Sequence, residues 1–241
     1  MLEISGVSKH FDGVKAVTEL SCTIAKGAIT GFIGPNGAGK TTLFNMICGY
    51  HEPDSGSIRF NGREITGKPP HAVAAAGIGR TFQNLRTIKK LSSLDNVMLA
   101  FNLGASPLSS LNRTDERKNR ERAQDLLAFV GLADKAGEPA GELSYGQQKL
   151  LNLACCRALD PDLLLLDEPV AGVNQEMTAK ILGLLRQMRE EGIGIFIIEH
   201  NMEAVMEVSD RLIVMAAGRV IADGEPAHIR ENPDVIKAYL G

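Results

Sequence analysis

The spacing of apolar positions falls into three regimes along the chain. Near the start it has period two. Leu2 and Ile4 alternate with polar residues, Asp12-Gly13 reads as a turn, and Leu20, Cys22 and Ile24 alternate again before Lys26-Gly27. That pattern predicts a pair of antiparallel strands. Residues 28–33 (Ala-Ile-Thr-Gly-Phe-Ile) read as a buried strand, and beyond Lys40 the period becomes helical, with Leu43, Phe44 and Ile47 on one face and Gly49 as the stop. Ile58 and Phe60 then alternate into Asn61-Gly62, a strong signal for a two-residue hairpin, with Ile65 on the return. Pro69-Pro70 opens a short alanine-rich helix stopped by Gly77, and residues 78–83 are predicted to be a further strand.

The second regime, from about Leu85 to Leu159, has helical periods only. Ser92 is placed to cap a helix bearing Leu94, Val97 and Met98, and Thr114 to cap one bearing Ala123, Leu126, Leu127 and Val130, with Gly131 as its stop. Ser144 is placed to cap a helix carrying Leu150, Leu153 and Ala154. The third regime begins after Pro161. Leu163-Leu164-Leu165-Leu166 is continuously apolar, as a strand covered on both faces is. Asn174 heads a helix with Met177, Ile181, Leu184, Leu185 and Met188 inward, Gly192 closes it, and Ile193 to Ile198 is the next buried strand. A hairpin is expected around Ala217-Gly218, and a last short helix from Asn232-Pro233.

Composition narrows the classes. The chain has 241 residues, 44% of them apolar and 23% charged, as in ordinary globular proteins. A net charge of −3 supplies no field that would draw the chain onto nucleic acid or anionic lipid. The longest apolar runs fall far short of the roughly 20 residues of a membrane span. Glu3 stands where a secretory leader would be basic, and no long apolar stretch follows it. Cys22, Cys48, Cys155 and Cys156 form no CxxC and are read as reduced core thiols. The mixed charges of residues 113–122 read as a solvated helix face. A cytoplasmic location is expected, with any membrane role exercised through a partner.

Residues 34–41 carry the chemistry. Gly34-Pro35-Asn36-Gly37-Ala38-Gly39-Lys40-Thr41 fits G-x-x-x-x-G-K-[ST], between a predicted strand and a predicted helix, with Thr42 following. Glycines let the backbone turn its N–H groups onto phosphate oxygens, and the helix N-terminus adds about +0.5 of partial charge. Lys40 is placed to reach the β/γ-phosphates and the Thr41 hydroxyl to ligate Mg²⁺. Asp167 and Glu168 end the leucine strand, and ligands of open α/β sheets bind at such carboxyl ends. Asp167 is read as holding Mg²⁺ and Glu168 as the base for an attacking water. His200 follows the next strand, where an imidazole would reach the γ-phosphate. Gln83 is placed at a junction, with an amide able to touch Mg²⁺ or water. Ser144 and Gly146 at a helix start read either as an ordinary helix cap or as a second anion site, the latter useful only if another copy supplies the triphosphate.

Taken together, GPNGAGKT at 34–41, TFQN at 81–84, LSYGQ at 143–147, LLLLDEP at 163–169 and His200 resemble the ATP-binding cassette (ABC) ATPases over nearly the whole chain. The resemblance implies one α/β domain. Its P-loop (RecA-like) core with an N-terminal antiparallel β subdomain would span residues 1–84 and 160–241, and an α-helical insertion subdomain residues 85–159. It further implies a head-to-tail dimer, homo- or heteromeric, with each ATP between one P-loop and Ser144, Gly146 and Gln147 of the other subunit. Phe11 would stack on adenine, residues 171–174 would cross the dimer interface, and Gln83 would link nucleotide state to a membrane partner. GIGRTFQN, LSYGQQ, DEPVAGVN and the ending NPDVIKAYLG look like the ATPase subunits of branched-chain amino acid, urea and amide importers. Those work with two transmembrane permease subunits and, indirectly, an extracytoplasmic solute-binding protein. The chain departs from that group in three places: Gln175 after Asn174, where Asn-Pro is common, a short link at residues 157–161, and residues 86–94. A lipopolysaccharide-type export ATPase and a soluble scaffold ATPase are the alternatives.

Overall fold

In a computed structural model, residues 1–81, 87–103 and 113–240 are described. The elements follow in the order β1 (Leu2–Phe11), β2 (Val14–Ile24), β3 (Ile29–Ile33), α1 (Lys40–Ile47), β4 (Ser55–Phe60), β5 (Arg63–Glu64), α2 (Pro70–Ala75), β6 (Ile78–Arg80), α3 (Ser93–Leu103), α4 (Arg113–Phe129) and α5 (Tyr145–Ala158). They continue with β7 (Leu163–Asp167), α6 (Gln175–Glu190), β8 (Gly194–Ile198), α7 (Met202–Val208), β9 (Arg211–Ala216), β10 (Arg219–Gly224), α8 (Pro226–Glu231) and α9 (Pro233–Leu240).

Two sheets result. β2-β1-β4-β5 is antiparallel, and its hairpins turn at Asp12-Gly13 and Asn61-Gly62, with all four turn residues at positive φ. The second sheet runs β10-β9-β3-β8-β7-β6, parallel except for the edge strand β10. Its strands are covered on both sides, and the two-residue period divides them. Ile29, Ile33, Leu164, Leu166, Ile195 and Ile197 face the core shared with α5, α6 and α7. Phe32, Leu163, Leu165, Phe196 and Ile198 face α1 and the antiparallel sheet. This is why the leucine run shows no alternation.

α3, α4 and α5 lie between β6 and β7 in the chain and pack on one another. Expected caps form at the starts of α3, α6 and α9. The amide of Asp95 donates to Ser92 Oγ at 3.0 Å, that of Met177 to Asn174 Oδ1 at 2.9 Å, and those of Asp234 and Val235 to Asn232 Oδ1. Thr114 is a correction: it lies inside α4, which has begun by Arg113. The strand expected over 78–83 holds its ladder with β7 from Ile78 to Arg80, and residues 82–86 lie outside the described residues. The four cysteines are free thiols, and burial pushes Cys48 up to about 11 and Cys22 and Cys155 to about 12. No helix among the described residues is long and apolar enough to cross a membrane.

Candidate functional site: the carboxyl end of the parallel sheet

The loop between β3 and α1 folds over the carboxyl edge of the sheet. Gly34, Gly37 and Gly39 all have positive φ. A Cβ at Gly34 would collide with the Met215 carbonyl, and one at Gly39 with that of Ala16. Close approach to neighbouring backbone, as well as conformation, therefore demands glycine at both positions. α1 starts at Lys40, so the loop ends on a helix N-terminus. Lys40 is only 6% exposed, and its Nζ donates to the carbonyls of Gly34 at 2.6 Å and Pro35 at 3.0 Å. Burial holds its pKa below the usual lysine value, while the charges of Glu168 and then Asp167 act in the opposite direction. A cleft of about 350 Å³ opens here, lined by Asn36, Gly37, Ala38, Gly39, Lys40, Thr41 and Thr42. Glu168, His200 and residues 14–16 complete its wall.

The two acids differ in surroundings as soon as β7 ends. Asp167 is its last residue, 7% exposed, with Arg80 Nη2 at 3.4 Å and its own amide donating to Thr81 Oγ1 at 3.2 Å. Burial raises its pKa above the usual carboxylate range. The Arg80 guanidinium acts against that, and the nearby Glu168 charge adds to it. Glu168 follows with φ +51, a left-handed conformation that is costly for a residue with a side chain. Its amide donates to Ile198 O at 2.9 Å, which turns the side chain into the cleft. β8 lies beside β7, with Asp167 opposite Ile198, and so brings His200 Nε2 to 3.3 Å from Glu168 Oε1.

Phe11 ends β1 and is 38% exposed. His51 packs its edge against the ring at 5.2 Å between centroids, and Lys9 Nζ lies 5.5 Å from its centre. At the start of α5, Ser144 and Gln147 form a reciprocal capping box. Ser144 N donates to Gln147 Oε1 at 2.9 Å, and Gln147 N to Ser144 Oγ at 3.3 Å. Gln147 is thus turned back onto its own helix. Gly146 faces Met177, where a Cβ would stand 3.0 Å from the methionine methyl. Ser144, Gly146 and Gln147 do not line the cleft that holds Lys40. Gln83 lies outside the described residues. Three residues missed in the sequence shape the site: Arg80 beside Asp167, Glu199 at 2% exposure, and Lys149, whose Nζ donates to the Glu168 carbonyl at 2.7 Å. Glu199 carried a usable signal, since an acid ending an apolar strand needs partners. Lys149 carried none.

A strand–glycine loop–helix cradle with a buried lysine, facing two acids at the end of β7, one strand removed from β3, defines a P-loop nucleoside triphosphatase. The chain belongs to the ABC transporter ATPase family, whose model matches residues 17–171. It binds and hydrolyses ATP. A second family model, for branched-chain amino acid ATP-binding cassette transporters, matches residues 219–241. The high-affinity branched-chain amino acid transport ATP-binding protein BraF of Pseudomonas aeruginosa is 41% identical, over 100% of this chain and 98% of the relative. LivG of Escherichia coli, described in the same terms, is 36% identical with the same coverage. Among solved structures, the ADP conformation of MJ1267, an ATP-binding cassette of an ABC transporter, is 34% identical. It superposes with a TM-score of 0.89 over 100% of this chain and 98% of that one.

Proposed function

We propose that this chain is the ATP-hydrolysing subunit of a membrane importer for branched-chain amino acids or related small polar solutes. The observation that carries the proposal is the match of residues 219–241, outside the general ATPase segment, to the branched-chain amino acid transporter model. Full-length likeness to BraF and LivG supports it. Lys40, the backbone N–H groups of Gly34 and residues 36–39, Thr41 and Thr42 bind the phosphates, with Pro35 shaping the loop between them, and Phe11 takes the adenine ring. Glu168 accepts the proton of the attacking water, and His200 holds the γ-phosphate and the carboxylate in line.

The site fits Mg²⁺. A hydroxyl and a buried carboxylate whose charged form is disfavoured are oxygen donors of the kind a small hard cation takes, with phosphates and water as the other ligands. Thr41, Asp167 and Gln83 would hold it. The chemistry it supplies is neutralisation of charge between the β- and γ-phosphates. Two copies, of this chain or of this chain and a sister ATPase, close head to tail. Ser144, Gly146 and Gln147 of each then meet the nucleotide of the other. That would release the capping box from itself and turn its donors to the γ-phosphate.

The permease subunits would dock on a half-open groove of about 450 Å³ between α2 and the helices α3 and α5. Tyr50, Val73, Ala100, Cys155 and Leu159 make it predominantly apolar. It lies on the same side as Arg80, close in sequence to Gln83. A solute-binding protein outside the membrane would deliver the cargo, and the ATPase would sit on the cytoplasmic face, held there by the permeases.

The test is affinity purification from detergent-solubilised membranes of the native host, with uptake of labelled leucine measured in a strain lacking the chain. Recovery of two multi-span proteins together with lost uptake supports the importer. A lipopolysaccharide export defect with normal uptake would point to an exporter, and recovery only from the soluble fraction to a scaffold ATPase. Either result overturns the proposal.

A further inference from the structure

The N-terminal half of α5 is joined to the backbone of Glu168 by one partly buried cation. Lys149 Nζ donates to the Glu168 carbonyl at 2.7 Å and passes 5.4 Å from the centre of the Tyr145 ring. Burial disfavours its charge, and the Glu199 carboxylate first, then that of Glu168, restore it. Glu199 is itself an anchor. Its Oε1 accepts from Val170 N at 2.8 Å, and its Oε2 from His200 N at 3.0 Å and Asn201 N at 3.3 Å. The same end of α5 touches the loop after β7 a second time. Gly172 has φ +73, and a Cβ there would stand 3.2 Å from Tyr145 Cε1. Lys149, Tyr145 and Glu199 together hold the main chain on both sides of the cleft wall that carries Glu168 and His200.

Glu168 is held at both ends of its own backbone: its amide on Ile198 of β8, its carbonyl on Lys149 of α5. With φ +51 it is not in a conformation its side chain would choose. The direction of the carboxylate therefore follows the seating of those two elements. β8 is central in the sheet and fixed. α5 belongs to the helical layer, and its N-terminus is the second anion site.

We propose that Lys149 is a positioning residue for Glu168, which makes the aim of the carboxylate in one ATP site depend on what Ser144 at the head of the same helix has bound in the other. The inference rests on the head-to-tail reading above, in which Ser144 and Glu168 of one chain serve different ATP molecules. Seating of Ser144 on the partner's nucleotide draws α5 along its axis. Lys149, about one turn further along, carries that shift to the Glu168 carbonyl. The two sites then fire cooperatively.

The test compares the full chain with Lys149→Met, Lys149→Arg and the double variant Lys149→Met/Glu199→Gln. Steady-state hydrolysis against Mg·ATP concentration, binding of a fluorescent ATP analogue, and thermal unfolding are measured for each. Displacing a carboxylate by about 1 Å costs on the order of 10²-fold in rate. Lys149→Met is expected to lose about 10–10²-fold in kcat, to bind nucleotide within about twofold of the parent, and to lower the Hill coefficient toward one. Lys149→Arg, which keeps a buried donor and charge, recovers most of the rate. The double variant removes the Glu199 charge that Lys149→Met leaves uncompensated, but its amide cannot accept from Val170, His200 and Asn201 together, so it stays slow and unfolds no later than Lys149→Met. A kcat in Lys149→Met within about twofold of the parent overturns the inference, as does a double variant that regains rate and stability together. A separate control addresses the reading beneath it: Glu168→Gln with ATP should run as a dimer in gel filtration. If it stays monomeric and the parent's hydrolysis is already non-cooperative, the head-to-tail reading has failed. A slow Lys149→Met with intact binding then still assigns the positioning of Glu168.

Discussion

His200 Nε2 lies 3.3 Å from Glu168 Oε1, although the two residues are 32 positions apart in sequence. Both stand just past the ends of neighbouring parallel strands, β7 and β8, whose pairing sets Asp167 opposite Ile198. An imidazole so placed holds the carboxylate in one rotamer and keeps it facing the cleft. A general base needs that positioning before it needs a particular pKa. Glu168→Gln is expected to keep ATP binding and to lose about 10²–10⁴-fold in hydrolysis. His200→Ala is expected to lose about 10²-fold in kcat and to weaken ATP binding less than Lys40→Ala does, since it removes one contact to the γ-phosphate and leaves Lys40 and the loop amides in place. Steady-state phosphate release together with equilibrium ATP binding separates the two. Near-parent turnover in Glu168→Gln would end its assignment as the base.

Lys40 is poised between the carbonyls of Gly34 and Pro35, with its charge disfavoured by burial. Phosphate oxygens would replace neutral acceptors by charged ones, and such hydrogen bonds contribute about 1.5–3 kcal/mol. Lys40→Ala should therefore bind ATP about 10–10²-fold more weakly in calorimetric titration. An unchanged dissociation constant would remove the lysine from the phosphate site.

The raised pKa of Asp167 would give the proposed Mg²⁺ site a pH signature. Burial penalises the ionised form, so the penalty is absent below the ordinary carboxylate range and complete above the raised folded value. A cation against the carboxylate relieves it only while the group is ionised. The extra thermal stability conferred by Mg·ADP over ADP alone should thus be full above the raised pKa. It should fade as pH falls through that value, which lies higher than for an exposed aspartate. Saturation at about 100-fold over Kd adds about 2.7 kcal/mol, or roughly 5–10 °C for a chain of this size. In Asp167→Asn the magnesium increment and its pH dependence should both shrink. An increment that is the same at every pH would refute the assignment.

Phe196 packs at 5.1 Å from Phe32 and 5.0 Å from Phe44, between centroids, and all three are fully buried. These rings fix α1, and with it the phosphate loop, against β3 and β8. Phe196→Ala should cost about 3–5 kcal/mol of stability, read as a fall in unfolding temperature, and should weaken ATP binding at a temperature where the variant is still folded. Loss of stability with unaltered ATP affinity would show that the loop keeps its shape without this packing.

Local spacing carried a large part of the fold. The period-two stretches became β1, β2 and β4, and the leucine run became β7, buried on both faces. Asn61-Gly62 and Ala217-Gly218 turned where positive φ was called for. Ser92, Asn174 and Ser144 capped helices because a short polar side chain satisfies amides within its own turn. Thr114 misled because it lies within α4, which has begun by Arg113. In the site, the cradle from Gly34 to Thr41 was legible since one contiguous segment carries its glycines, lysine and threonine.

The sequence by itself settled conformation over a few residues: strand, glycine loop, helix, and an acid at the end of an apolar run. Strand order was decided only by the tertiary structure, and with it every contact across the cleft. β7 and β8 lie side by side although a full helix separates them in the chain, so His200 meets Glu168. β6 pairs with β7, so Arg80 reaches Asp167 across 87 positions, and α5 folds back so that Lys149 reaches the Glu168 carbonyl. The physical reason is that turns, caps and amphipathic faces are set by interactions within one or two turns of chain. The partners of a buried charge are set by which elements share a core, and that is a property of the packed whole.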